Sequence, residues 1–351
     1  QRQMCIRDRS STDRRNYGVR TVDGKEVPEQ SDLATIPYIQ VQQCRGDHLT
    51  YDNSTPYIYS ATAYAAHSAD ILRRTAYILG KTDDEKRYSE LFENIKRAFN
   101  DAWVNDDGSV SYYGEVSSQT AHCGESVALD GSVTRYTYYA ENTPHCPSQT
   151  AYALAVDFDL IPKDKLKNTR EYFKNSILRN NGKLTVGFLG ISHLAPALSK
   201  VGLDDVAFKL LEQEDNPSWL YSVKNGATTI WERWNSYIAE TGTFGDVSMN
   251  SFNHYSYGAI GQWFFTDILG IRPVEFGYKA FMLAPKFGGG LTYAKGSFTS
   301  PYGKISSAWK LHDGKFTYDC TVPTNTTATL KLPNGDIHTL ADGSYHFEIN
   351  V

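Results

Sequence analysis

Apolar residues recur at helical spacing over most of the first 270 positions. Between residues 60 and 79 they return every three or four positions, and Gly80 ends the run as a glycine after a helix does. Residues 83–103 carry a second stripe with acids in its first turn, so the two segments predict an antiparallel helical hairpin. Further predicted helices lie at residues 148–160, 163–178, 188–200, 204–211 and 253–269.

The period of the apolar positions changes from about 3.6 to about 2 beyond Pro273. Alternating runs follow one another between residues 293 and 349, and Asp313-Gly314 and Asn334-Gly335 are typical hairpin turns. The pattern alone therefore predicts a mainly α fold followed by β: paired helices and then a small antiparallel β-sandwich.

Two polar stretches follow neither period. Residues 10–55 predict loop, and residues 105–147, rich in Ser, Thr, Tyr and Gly, predict a long loop that is either functional or disordered. The first nine residues carry charges without the apolar run of a secretion signal. We predict a poorly ordered or non-native segment at 1–45, a helical domain at 46–272 and a sandwich domain at 273–351.

Composition narrows the possible partners. The net charge of −5 and the absence of a long basic run argue against nucleic acid, and no apolar stretch reaches the roughly 18 residues of a membrane span. Aromatic residues make up 13% of the chain, and tyrosine and tryptophan suit wet surfaces such as those of sugars or protein interfaces. Five cysteines without a Cys-x-x-Cys pair leave the redox compartment open.

Several catalytic and metal motifs are missing from the sequence. It contains neither a Gly-x-Ser-x-Gly elbow nor a His-Glu-x-x-His pair, and Gly80-Lys81-Thr82 closes a helix where a phosphate loop would open one. His122-Cys123 and His145-Cys146 could supply zinc ligands, but free thiols or a disulfide explain these pairs as well. We predict no metal and no cofactor.

One segment combines groups suited to acid–base chemistry. Between Gly226 and Trp234, Glu232 follows Trp231 and is followed by Arg233. A carboxylate packed against aromatic rings can serve as a general base near neutral pH. A surface ion pair between Glu232 and Arg233 beside core tryptophans is an equally good interpretation on physical grounds.

Six ordered segments carry a resemblance to a known family. They are Gly46-Asp47-His48-Leu49, Ser148-Gln149-Thr150-Ala151-Tyr152-Ala153-Leu154-Ala155, Gly187-Phe188-Leu189-Gly190, Pro217-Ser218-Trp219-Leu220-Tyr221, the stretch from Gly226 to Trp234, and Asn250-Ser251-Phe252-Asn253-His254-Tyr255. With these segments the chain resembles the bacterial α-L-rhamnosidases of glycoside hydrolase family 78 over most of residues 45–350.

The resemblance implies an (α/α)6 toroid followed by a β-sandwich, and inverting hydrolysis of terminal α-L-rhamnosides. Inversion needs a carboxylic acid and a carboxylate roughly 6.5–9.5 Å apart. Glu232 matches the family's general base, and His254 matches a sugar-contacting histidine. The implied partner is a rhamnose-containing glycoside or polysaccharide, and the substrate-binding candidates are His254, Asp47, His48, Trp231, Trp234, Trp219 and Arg233. Core packing remains an alternative for the three tryptophans and for His254.

The sequence departs from the family in several places. The acidic motif that carries the family's general acid has no counterpart in residues 1–45, His48 stands where tryptophan is usual, and residues 108–147 resemble an insertion. The predicted helices make fewer hairpins than a closed toroid requires. We therefore expect the C-terminal portion of a longer rhamnosidase that is inactive on its own.

The sequence alone leaves three functions open. The first is an inverting α-L-rhamnosidase with Glu232 as base, and the second is a non-catalytic carbohydrate-binding or scaffold protein derived from the same toroid. The third is a helical-toroid enzyme that acts on another glycan. The aglycone, the oligomeric state and the localisation stay open.

Overall fold

The computed structural model divides the chain into two compact units, Gln1–Val201 and Gly202–Val351. The structure describes residues 37–40, 46–51, 55–111 and 147–351 in full, together with the backbone of four strands at 19–22, 25–28, 122–127 and 133–138.

The described part of the first unit contains five helices, and all five confirm helices predicted from the apolar period. They are α1 (Tyr57–Ile78), α2 (Thr82–Trp103), α3 (Gln149–Asp157), α4 (Leu166–Leu178) and α5 (Phe188–Lys200). Gly80 ends α1 in the left-handed region at φ 64°, which lets the N–H of Lys81 return to the carbonyl of Ala76 at 2.8 Å.

The α1–α2 hairpin is held by an aromatic cluster. Tyr59 on α1 contacts Phe99 and Trp103 on α2, with ring centroids 4.8 and 5.2 Å away, and all three side chains are buried. The Tyr59 hydroxyl donates to the carbonyl of Ala151 at 2.8 Å. Helix α3 is buried from Gln149 to Val156, because most of its side chains are small or apolar and the Gln149 amide is hydrogen-bonded to Lys183 and Thr185.

The loop prediction is wrong in two places of the first unit. Strands β1 (Val19–Val22) and β2 (Lys25–Pro28) pair antiparallel, as do β3 (His122–Val127) and β4 (Val133–Tyr138). Such short polar strands carry little alternation, although Asp23-Gly24 in the sequence between β1 and β2 is a hairpin signal. The side chains of His122, Cys123, His145 and Cys146 lie outside the described residues.

The second unit begins with short helical elements. Helices α6 (Asp204–Leu211) and α7 (Trp219–Lys224) precede a small pair of strands, β5 (Tyr237–Ile238) and β6 (Thr243–Phe244). The single helix predicted over residues 253–269 is wrong in form. The structure has a 3₁₀ turn at Ser256–Ile260, one α turn, and a π turn at Phe264–Ile268.

The physical reason for this broken helix lies in its sequence. Gly258 and Gly261 weaken the α-helix, since glycine is the poorest helix former after proline. The N–H of Leu269 then bonds to the carbonyl of Phe264, five residues back, at 2.9 Å. The widened turn completes the segment before Gly270.

Two four-stranded sheets complete the second unit and confirm the predicted sandwich. Their strand orders are β14-β11-β10-β9 and β13-β12-β8-β7. The bounds are β7 (Ile271–Pro273), β8 (Ala280–Leu283), β9 (Tyr293–Ser300), β10 (Gly303–His312), β11 (Lys315–Val322), β12 (Thr327–Lys331), β13 (Ile337–Leu340) and β14 (Gly343–Asn350). Strands β8 and β12 pair parallel, and the other neighbours pair antiparallel.

The sandwich core follows the predicted alternation and also holds the end of the helical segment. Trp309 on β10 and Tyr318 on β11 are buried, and burial raises the pKa of the neighbouring Cys320 thiol to about 12. The indole N–H of Trp309 donates to the carbonyl of Ile268 at 2.8 Å. The sheet therefore caps the last turn of the segment that precedes it.

No helix in the described part of the chain is both long enough and apolar enough to cross a membrane.

Candidate active site

Two of the sequence segments that carry the family resemblance pair along their backbones in the second unit. The N–H of Glu232 donates to the carbonyl of Ser251 at 2.8 Å, and the N–H of His254 donates to the carbonyl of Ile230 at 2.9 Å. The Thr229 hydroxyl adds a bond to the carbonyl of Phe252. The sequence-predicted base and histidine therefore lie on adjacent, hydrogen-bonded segments.

Glu232 is buried, and its carboxylate has one fixed oxygen. The Ser251 N–H donates to Oε2 at 2.7 Å, so Glu232 and Ser251 exchange two hydrogen bonds. The other oxygen, Oε1, accepts no hydrogen bond from the residues described. One oxygen thus sets the direction of the carboxylate, and the other can accept a proton from a water molecule.

His254 is half-buried, and one of its ring nitrogens has a backbone partner. Nδ1 accepts the N–H of Ser256 at 3.3 Å, where the 3₁₀ turn begins, and the ring stacks on Tyr255 at 5.4 Å. An accepting Nδ1 assigns the proton of the neutral imidazole to Nε2, which suits a bond to a sugar hydroxyl. The Nδ1 bond also caps the helical turn, so sugar contact by His254 stays a prediction.

Arg233 pairs with a loop residue and not with Glu232. Its Nη2 lies 3.1 Å from Oδ2 of Asp246, and its Nε donates to the carbonyl of Met249 at 2.7 Å. The backbone N–H of Arg233 donates to the Ser236 hydroxyl at 3.1 Å. The surface ion pair between Glu232 and Arg233 that the sequence left open is therefore wrong.

Two of the three candidate tryptophans pack together with Tyr257, and the third packs on Phe252. Trp234 is buried and stacks on Tyr257 at a centroid distance of 3.8 Å, and Trp219 meets Trp234 edge to face at 5.4 Å. The Trp219 indole donates to the carbonyl of Tyr257 at 2.9 Å, while Trp231 packs on Phe252 at 5.3 Å. These ring contacts hold Trp231 and Trp234 in place, and with them the segment that carries Glu232.

A cavity of about 270 Å³ lies beside these tryptophans. Its lining residues are Trp219, Ser222, Val223, Ala227, Thr228, Thr229, Ile230, Trp231, Arg233, Trp234 and Tyr257. Glu232 is not one of the described residues that line it. A role for the tryptophans in forming the wall of a sugar site stays a prediction.

Asp47 lies in the first unit, and its carboxylate accepts hydrogen bonds from the N-terminal ends of α3 and α5. Oδ1 accepts the N–H groups of Leu189 and Gly190 at 2.8 and 3.0 Å, and Oδ2 accepts the N–H of Gly187 at 2.8 Å and the Thr150 hydroxyl. Burial raises the pKa of Asp47, and these hydrogen bonds oppose that rise. Three of the six resemblance segments therefore meet at this carboxylate.

His48 lies next to this junction. Its carbonyl accepts the N–H of Phe188 at 2.9 Å, and its ring meets the Phe188 ring edge to face at 5.4 Å. Substrate contact by Asp47 and His48 stays a prediction, and the observed contacts give both residues a clear role in joining the loop to α5.

Sequence reasoning missed three residues that hold the candidate site. Ser251 fixes the Glu232 carboxylate, Asp246 holds Arg233, and Thr150 donates to Asp47. Ser251 and Thr150 lie inside quoted segments but carry no chemical signal of their own. Asp246 is followed two positions later by Ser248, a spacing typical of an Asx turn, which could have been noticed.

Among the side chains that the structure describes, no three His, Cys, Asp or Glu residues lie close enough together to hold an ion.

Comparisons with known proteins agree with the fold. A model of the bacterial alpha-L-rhamnosidase 6 hairpin glycosidase domain matches residues 29–268, and one of the bacterial alpha-L-rhamnosidase C-terminal domain matches residues 270–346. An alpha-L-rhamnosidase of Formosa agariphila is 34% identical over 311 residues, 89% of this chain and 29% of the relative. One of Streptomyces avermitilis is 37% identical over 82% of this chain and 24% of the relative.

Solved structures give the same result. The Streptomyces avermitilis alpha-L-rhamnosidase complexed with L-rhamnose matches with a TM-score of 0.76 and 32% identity, over 91% of this chain and 30% of that chain. The native enzyme from Aspergillus terreus matches with a TM-score of 0.72 and 30% identity, over 85% of this chain and 31% of that chain. The chain thus spans less than a third of the length of these relatives, and it belongs to the bacterial alpha-L-rhamnosidase family of six-hairpin glycosidases.

Proposed function

We propose that the chain serves the hydrolysis of terminal α-L-rhamnosides by inversion, with Glu232 as the general base. The observation that carries the proposal is the Glu232 carboxylate, which is buried and held through Oε2 by the Ser251 N–H. Family membership supports the substrate class, since a structural neighbour was solved with L-rhamnose.

In this reaction a water molecule attacks the anomeric carbon on the face opposite the leaving group. Oε1 of Glu232 takes a proton from that water while the bond from the anomeric carbon to the aglycone oxygen breaks. A separate carboxylic acid protonates the departing oxygen, and we assign no residue of this chain to that role. His254 would donate from Nε2 to a ring hydroxyl of the sugar.

The base role is tested with an activated substrate. Dinitrophenyl α-L-rhamnoside has a leaving group that departs without protonation, so its hydrolysis depends on the base and not on the acid. We expect Glu232→Gln to lower kcat by about 10²- to 10⁴-fold with little change in KM. Glu240→Gln, at an exposed glutamate on the same stretch of chain, is the matched control.

Two further measurements separate the alternatives. Proton NMR of the first product should show β-L-rhamnose before mutarotation, and azide should restore turnover of Glu232→Ala while forming the β-rhamnosyl azide. Near-normal turnover in Glu232→Gln would refute the base assignment. Binding of L-rhamnose with no hydrolysis of any aryl glycoside would favour the carbohydrate-binding protein instead.

A further inference from the structure

Arg233, which follows Glu232 in the sequence, contacts the end of a long loop with its guanidinium. Arg233 contacts Asp246 and the carbonyl of Met249, and the chain reaches Ser251 two residues after Met249. Ser251 is the residue whose N–H fixes the Glu232 carboxylate. Arg233 therefore contacts the segment that contains Ser251, whose N–H donates to the Glu232 carboxylate.

Asp246, which accepts a hydrogen bond from the Arg233 guanidinium, is also held by a residue of its own loop. Oδ1 of Asp246 accepts the N–H and the hydroxyl of Ser248 at 2.9 and 2.6 Å, which leaves Oδ2 for Arg233. The two bonds from Ser248 lower the pKa of Asp246, and the charge of Arg233 adds to that effect. The pair thus stays charged at neutral pH.

The neck of the same loop is closed by Ser236. Its carbonyl accepts the N–H of Gly245 and the side-chain amide of Asn250, both at 2.9 Å, and its hydroxyl accepts the N–H of Arg233. Ser236 is fully buried. The loop between Ser236 and Asn250 is therefore anchored at its neck and at Asp246, and the residues after it continue directly into the pairing with Glu232.

We propose that Arg233 is a positioning residue: through Asp246 and Met249 it holds the Ser251 N–H against Oε2 of Glu232, and so directs Oε1 toward the attacking water. This inference rests on the proposed function. It replaces the sugar contact expected for Arg233 with an indirect role, because two of its guanidinium nitrogens are engaged by the loop.

The first test measures the Ser251 amide and needs no turnover. Hydrogen exchange followed by NMR reports the protection of the Ser251 and His254 N–H groups, both of which are bonded to the Glu232 segment. Arg233→Met and Asp246→Asn should each lower protection at these amides by about tenfold or more. Lys315→Met, which breaks an exposed ion pair to Glu348 on the sandwich, is the matched control.

The second test separates positioning from substrate contact. With dinitrophenyl α-L-rhamnoside, Arg233→Met and Asp246→Asn should each lower kcat about tenfold at nearly constant KM, and the double variant should be no worse than the poorer single one. Arg233→Lys should recover part of the loss, because an ammonium group can still pair with Asp246.

The results of these tests separate the positioning role of Arg233 from the base role of Glu232. A raised KM in Arg233→Met with unaltered Asp246→Asn would assign Arg233 to the substrate and overturn the proposal. Unchanged amide protection in both variants would overturn it as well. Normal turnover in Glu232→Gln refutes the proposed function itself, whereas loss of turnover in Glu232→Gln beside normal Arg233→Met refutes the positioning role alone.

Discussion

A substitution at Gly187, beside Asp47, should strongly destabilise the first unit. This glycine has an extended backbone, so its φ does not require glycine, but a Cβ at this position would lie 2.2 Å from the carbonyl oxygen of His48. It would also lie 2.7 Å from the carbonyl oxygen of Asp47 and from the Thr50 nitrogen. All three obstacles are backbone atoms of one loop, which must move as a body.

The cost of Gly187→Ala follows from these distances. Relief of the overlap requires a shift of roughly 1 Å, and overpacking of this kind costs about 1–3 kcal/mol. The same shift breaks the bonds from Phe188 to His48 and from Gly187 to Asp47, each worth about 1 kcal/mol. We therefore expect the free energy of unfolding of the first unit to fall by about 3–5 kcal/mol.

Urea denaturation followed by circular dichroism measures this loss. Gly261→Ala is the control, because it lies in a helical turn where an added Cβ meets nothing within 4 Å. That variant should be as stable as the parent or gain up to about 1 kcal/mol. If Gly187→Ala unfolded within about 0.5 kcal/mol of Gly261→Ala, the loop would not be clamped against α5 and the argument would fail.

Two further predictions concern a half-buried histidine and a buried tryptophan. Burial and the nearby His193 lower the pKa of His67 below its usual 6.5, so the fold loses stability as pH falls through that value. His67→Phe should flatten this dependence in urea midpoints between about pH 7.5 and about pH 5.5, and parallel curves would contradict it. Trp309→Phe removes the bond to Ile268 and should cost the second unit about 2–3 kcal/mol in urea denaturation. A loss below about 0.5 kcal/mol would count against that bond.

The helices were predictable where a local pattern decides them. The runs that became α5 and α6 matched the structure to the residue, since each has an apolar stripe and clear ends. The strands β7 and β8 were not predicted, because they are three and four residues long. The parallel partner of β8 is β12, a contact from far along the chain that no local period reports.

The residues of the candidate site could be proposed from the sequence, but their hydrogen-bond partners could not. The sequence placed Arg233 next to Glu232, yet the guanidinium pairs with Asp246, thirteen positions away. It gave Asp47 as a sugar contact, yet the donors to Asp47 lie 103 to 143 residues further along the chain. Neither partner can be read from neighbours in sequence, because each depends on how a loop returns to the segment.

The two carboxylates show why geometry must decide between structural and chemical roles. Asp47 and Glu232 are both buried acids in segments that resemble the family. Asp47 accepts four donors, two on each oxygen, so a ligand could reach it only by displacing a helix terminus. Glu232 accepts one backbone donor on one oxygen and keeps the other for a proton. The number of donors on each oxygen thus favours a structural role for Asp47, whose sugar contact stays a prediction, and supports the base role proposed for Glu232.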